Sequence, residues 1–177
     1  PSLRRHMLAV EAAMRAYAQK YGEDADLWGV TGLLHDFDYE RWPNDAQTPD
    51  QEHPTTGVTI LRKKNVDEDI LHAIMAHADY TGVKASSLMA RALRAVDDLT
   101  GFLVACALVR PTKLQGMKAK SVRKKMKDKA FAAAVSREEM RQNCEELGED
   151  MSEHTTFVIA AMQGIAGELG LSGDETT

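Results

Sequence analysis

The chain has 177 residues, 44% apolar and 28% charged, and its 22 basic and 27 acidic residues give a formal charge of -5. That length suits one domain with a core that needs no disulfide or metal staple, and the apolar content excludes wholesale disorder. No apolar run reaches the roughly 18 residues of a membrane span, and the mild acidity argues against a dedicated nucleic-acid binder, although one segment is locally basic.

The chain opens Pro-Ser-Leu-Arg-Arg, without an initiating Met or a signal-peptide pattern, which leaves open a short segment before Pro1. With 24 alanines and no long alternating run of β-branched and aromatic residues, the periodicity is helical almost throughout. Leu3, Met7, Val10, Met14, Tyr17 and Tyr21 mark one face of a first helix, which Gly22 closes. Asp24 or Asp26 caps a second helix that runs through Leu34 and ends near His35-Asp36. Residues 37–51, with Pro43, Asn44 and Pro49, read as a loop. Helices are expected over Pro54–Lys64 and Asp67–Ala78, with Asp67 as cap or first-turn acid, and then over about Ser87–Val109. The polar remainder holds a basic helix at Ser121–Lys127, an Ala-rich piece at Lys129–Val135, a helix from the Ser136/Glu139 capping box to Leu147, and a last helix from Ser152. Ser172 onward reads as a frayed tail. The expectation is an all-α single domain over 1–177, with a core at about 3–109 and a C-terminal helical extension at about 113–171.

Cys106 and Cys144 lie 38 residues apart in helical sequence and form no CxxC or extracellular framework, so a reducing cytoplasm is the expected setting. Cys106 sits in an apolar run and reads as a structural thiol. There is no GxSxG elbow, Gly-rich phosphate loop or dinucleotide fingerprint, which leaves metal chemistry as the main candidate.

His35-Asp36 falls where an apolar helix turns into a loop, a place where adjacent ligands can converge on a borderline divalent metal. His6 lies beside the Met7/Val10 face, and His77 ends the Ile70, Ile74, His77 stripe. Each histidine alone reads by default as a satisfied core or boundary residue. Several inward histidines at successive helices are hard to explain as separate accidents. Asp97 lies on the long apolar helix, whereas Asp98 has Arg94 and Arg91 one and two turns back as ordinary surface partners. A carboxylate on the more apolar side needs a proton, hydrogen bonds or a metal, which favours Asp97 as a ligand.

The order His6, His35-Asp36, Asp97, with 29 residues to the doublet and 61 from Asp36 to Asp97, resembles the HD-domain superfamily of metal-dependent phosphohydrolases. Gly-Leu-Leu-His-Asp and Val-Asp-Asp-Leu-Thr-Gly strengthen the likeness over about residues 3–109, and the Ala-Leu-Val-Arg-Pro and Lys-Ser-Val-Arg-Lys-Lys segments resemble a bacterial, HDIG-type branch. Phe37-Asp38 replaces the Ile-Gly of that subgroup. The resemblance implies a compact helical HD bundle and metal ligation by His6, His35, Asp36 and Asp97. In histidine-rich members, His53 and His77 match positions that ligate a second ion bridged by Asp36; the alternative is one metal, with His53 and His77 as donors to substrate phosphate. His72 and His154 are expected to be exposed and outside the site.

On this reading, one or two transition-metal ions (Fe, Mn, Zn, Co or Ni) activate water near neutral pH, with His35 and Asp36 central to catalysis. The loop acids Asp38 and Glu40 read as solvated. Lys118–Lys129 holds seven basic residues against Asp128, either a solvated face or a phosphate-attracting rim in which Lys120 and Lys124 share a face. The expected partner is a small phosphorylated substrate, possibly a nucleotide, rather than a membrane or nucleic acid. The alternatives are a mixed-valence di-iron oxygenase, which some histidine-rich members resemble, and a non-catalytic ligand-sensing domain.

Overall fold

The computed structural model describes residues 2–173; Pro1 and most of the expected frayed tail, 174–177, lie outside the described residues. Among the described residues the ordered elements are all helical: eight α-helices and one short 3-10 turn, without a strand. The chain divides into two compact units at Arg94/Ala95, within the longest helix, α5 (Leu88–Leu108).

In the first unit α1 (Ser2–Tyr21) and α2 (Ala25–Leu34) form an antiparallel pair. Gly22 makes the reversal at φ 73°, where a side chain would be strained, and the Asp24 carboxylate caps α2 through the Asp26 and Leu27 amides at 2.9 and 3.0 Å. The two helices approach closely at Gly32, where an added Cβ would lie 3.0 Å from the Val10 carbonyl oxygen and 3.1 Å from the Glu11 Cα. Arg15 lies across Gly29 and binds Glu11 at 2.9 Å, Asp26 at 2.7 Å and the Ala25 carbonyl at 3.1 Å. Val10, Met14, Tyr17 and Trp28 are buried in the core of this unit. α3 (Thr55–Lys63) and α4 (Glu68–His77) form the next pair, and α4 also packs on α2.

The second unit contains the rest of α5, then α6 (Ala119–Met126), α7 (Arg137–Leu147) and α8 (Met151–Gly164). Phe102, Leu103, Leu114, Met140 and Met162 are fully buried there. Ser136 accepts from the Glu139 amide at 3.2 Å as the capping-box pattern predicts, and Gly148 ends α7 at φ 85°. The chain stays anchored past α8: Leu169 and Leu171 are buried, and the Leu114 amide donates to the Leu171 carbonyl at 3.1 Å.

The Ala-rich piece at 129–135 forms turns, with the Arg137 guanidinium gathering the carbonyls of Phe131, Ala132 and Val135. Two local expectations are corrected. The last helix starts at Met151, since the Asp150 carboxylate takes the Ser152 and Glu153 amides at 2.8 and 3.0 Å and outcompetes a serine cap. His154 is fully buried, and its Nε2–H donates to the Ala95 carbonyl at 2.9 Å. Its four- and eight-residue offsets from Val158 and Met162 put it on the buried face of α8.

Burial pushes both thiols up to about 11, against the pull of Lys125, Arg137 and Arg110 on Cys106. At pH 8 this leaves on the order of one thiolate per thousand thiols. Iodoacetamide labelling of the native protein at pH 8 is therefore expected to be slow and to accelerate in step with urea unfolding; rapid labelling of both cysteines in the folded state would contradict their burial. Replacing Asp24 by Ala is expected to cost about 1 kcal/mol, read as a lower urea midpoint at unchanged slope.

Candidate metal centre

Helix ends deliver the first two imidazoles. His35 is the C-cap of α2 and His77 the last residue of α4, and each Nδ1–H donates to the carbonyl three residues back: Gly32 at 2.7 Å for His35, and Ile74 for His77. Those carbonyls belong to the last turn, where intrahelical donors run out. With Nδ1 engaged, the Nε2 atoms of both rings point at the same carboxylate. His35 Nε2 lies 3.4 Å from Asp36 Oδ2, and His77 Nε2 lies 3.5 Å from Asp36 Oδ1.

His6 comes from the start of α1, with Nε2 at 3.6 Å from Asp36 Oδ2 and its ring at 5.2 Å from that of His35. His53 comes from the loop before α3, with Nε2 at 3.3 Å from Asp36 Oδ1 and 3.3 Å from His77 Nε2. Its Nδ1–H donates to buried Asp38 at 2.7 Å, and Asp38 accepts the Gly57 amide on its other oxygen at 2.8 Å. Gly57 is required there, because a Cβ would lie 2.7 Å from the Asp38 carboxyl carbon.

The loop from 37 to 53 is held as one piece. Asn44, in the left-handed region at φ 52°, shares its amide hydrogens among the carbonyls of Thr48, Gln51 and His53 at 2.9, 2.9 and 2.7 Å. Its own oxygen accepts the Thr48 amide at 2.8 Å, and the Tyr80 hydroxyl donates to the His53 carbonyl at 2.9 Å.

Burial works against ionisation of Asp36, but the charge and hydrogen bonds of His35 and His77 prevail and hold its carboxyl well below the usual carboxylate range. The Nε2 atoms of three rings whose Nδ1–H groups are engaged face an ionised carboxylate, and those of His53 and His77 lie 3.3 Å apart. Such contacts need a proton or a cation between them. Two ligands about 2.1 Å from a shared ion lie about 3.0–3.4 Å apart in octahedral or tetrahedral geometry. The nitrogen–oxygen separations of 3.3–3.6 Å are close to that spacing. His35, Asp36 and His77 each offer an atom within 4.8 Å of the others, so the donor set fits a divalent transition metal.

Asp97 is half-buried on α5 in the second unit, its carbonyl accepting the Thr100 hydroxyl at 2.8 Å. Lys120 and Lys124 are exposed on α6 and line two different depressions, one against α8 and one beside the end of α5. Asp38, expected to be solvated, is buried as the partner of His53; Glu40 is exposed. His72 is half-buried rather than exposed, with Nε2 at 3.0 Å from the Lys84 carbonyl oxygen. Arg94, read as a partner of Asp98, also forms an ion pair with Asp79. Asp38, Asn44, Gly57 and Tyr80 escaped sequence reading; the only local signal was an acid two residues beyond the doublet.

A family model of the HD domain matches residues 3–101, more than half of the chain, and the protein belongs to this superfamily of metal-dependent phosphohydrolases. No curated protein and no solved structure matches the chain. No described helix is long and apolar enough to cross a membrane.

Outer-sphere partners of metal-bound histidines typically control affinity by about 10–100-fold. Asp38→Asn is expected to weaken Mn²⁺ or Zn²⁺ binding, read by isothermal titration calorimetry, by that factor while leaving the helical circular dichroism unchanged. Unchanged affinity would remove Asp38 from the centre.

Proposed function

We propose that the chain hydrolyses a phosphomonoester or phosphodiester of a small molecule through a dinuclear metal centre bridged by Asp36. The observation that carries this reading is the sorting of imidazoles by carboxylate oxygen: His6 and His35 face Oδ2, while His53 and His77 face Oδ1. One carboxylate with a separate imidazole pair on each oxygen is what a bridging ligand requires. Asp97 enters as a further ligand, as the sequence pattern implies, and the HDIG-type bacterial assignment rests on sequence likeness.

Metal ions held there would lower the pKa of bound water from about 15.7 toward 7 and offset charge on phosphoryl oxygens. The protein's own contribution is positional. Gly32, Ile74 and Asp38 orient three rings so that their Nε2 atoms converge, and the ionised Asp36 supplies negative charge at the point of convergence. Lys120 and Lys124 enter as exposed cations that attract an anionic substrate to an otherwise acidic chain. Tyr39, 44% exposed and T-shaped to His53 with centroids 5.2 Å apart, offers a ring beside the centre to a planar group, which favours a nucleotide over an aliphatic phosphate.

Protein purified without oxygen is expected to hold close to two transition-metal ions per chain by elemental analysis, and to hydrolyse bis-p-nitrophenyl phosphate or nucleoside monophosphates. Asp36→Ala and His35→Ala are expected to lose metal and about a hundredfold or more of turnover while remaining helical. Full turnover in metal-free variants would end this reading. A histidine-rich bridged centre also suits the second reading, a di-iron oxygenase; two irons with substrate-dependent oxygen uptake and no phosphate release would select it. Tyr39→Ala is expected to raise KM for nucleotides more than for glycerol phosphate, with kcat little changed.

A further inference from the structure

The second unit contains a cavity of about 500 Å³, within the roughly 300–1,000 Å³ common for small-molecule sites. Its apolar lining comes from buried Cys106, Met117 and Val122, with Val109, 58% exposed, as a further apolar wall. Its charged lining is cationic: Arg110, Lys124 and Lys125 against the single acid Asp128.

Three of these charged groups are held in ways that leave the cavity positive. The Arg110 guanidinium is held by three uncharged acceptors, the carbonyls of Lys113 and Gln115 at 2.9 Å each and the Thr112 hydroxyl at 3.0 Å. Its orientation is thereby set while its charge is kept. The Asp128 carboxylate is turned to backbone, accepting the Ala130 and Phe131 amides at 3.1 and 3.3 Å. Lys125 lies over the Phe131 ring at 4.7 Å, a contact that localises the ammonium without neutralising it. The positive field reaches the lining, since Arg110, Lys125 and Arg137 all act to lower the Cys106 thiol against the larger effect of burial. A net cationic cavity is out of keeping with a chain of formal charge -5.

We propose that this cavity binds a small amphipathic anion, a single phosphate or carboxylate head beside Arg110, Lys124 and Lys125 with an apolar body against Cys106, Met117 and Val122. The proposal concerns the second unit alone and does not depend on what the histidine cluster of the first unit does.

The test uses octyl phosphate below its micelle concentration, with octanoate, inorganic phosphate and octanol as comparators, followed by calorimetry on the full chain. Octyl phosphate and octanoate are expected to bind competitively, and phosphate and octanol at least tenfold more weakly. In a Cys144→Ser background, octyl phosphate is expected to slow iodoacetamide labelling of Cys106, which locates the ligand. The exposed charge-reversal pair Lys124→Glu with Lys125→Glu, and the cavity-filling Ser121→Phe, are each expected to weaken octyl phosphate at least tenfold with helical content retained. Equal binding of inorganic phosphate, equal binding of octanol, binding to anionic vesicles but not to the monomer, or undiminished binding by both variants would each overturn the proposal.

Discussion

The arrangement of the first unit turns on one electrostatic constraint: a half-buried, ionised Asp36 surrounded by imidazoles whose outer nitrogens are already committed. A carboxylate in that position is costly unless cations or donors face it. The Nδ1–H groups of His35, His53 and His77 are taken by Gly32, Asp38 and Ile74, so each ring turns its Nε2 toward that carboxylate, where a proton or a metal ion can join them. The same bonds that fix the rings gather the facing nitrogens around one point.

That constraint explains features that otherwise look unrelated. The close approach at Gly32 packs α1 against α2, which carry His6 and His35 at the ends brought together by an antiparallel pair. α4 stops at His77, where the ring can use a terminal carbonyl. The 37–53 loop has no regular structure of its own, yet Asn44 replaces a hydrogen-bond ladder by binding three carbonyls, the last of them that of His53. Gly57 lacks a side chain because the Asp38 carboxylate occupies that space. A helical scaffold positions the ligands on its ends, and one polar loop is made rigid enough to supply another.

The second unit uses the same device for a different result. Arg137 holds the turns over 129–135 by collecting their carbonyls, and Arg110 does the same for 112–115. Guanidinium groups satisfied by backbone carbonyls keep their charge, so turns built this way carry positive potential that a neutralised ion pair would not. The cationic cavity follows from how the turns are closed.

Much of this was legible in the residues. Helical periodicity, the Asp24 cap, the Ser136 capping box, Gly22 and Gly148 all act within a turn or two of chain, where local stereochemistry and hydrogen bonding decide the outcome. The spacing of His6 and His35-Asp36 was legible too, because helix ends recur at predictable places. Contacts between distant segments were not. Asp38 reads as a solvated loop acid until α3 brings the Gly57 amide to it, and His154 reads as exposed until the Ala95 carbonyl is seen beside it. Sequence alone determined which segments are helices and which residue types offer ligand atoms. Tertiary structure decided which oxygen of Asp36 faces which imidazole, because side-chain direction is set by partners that lie far away along the chain.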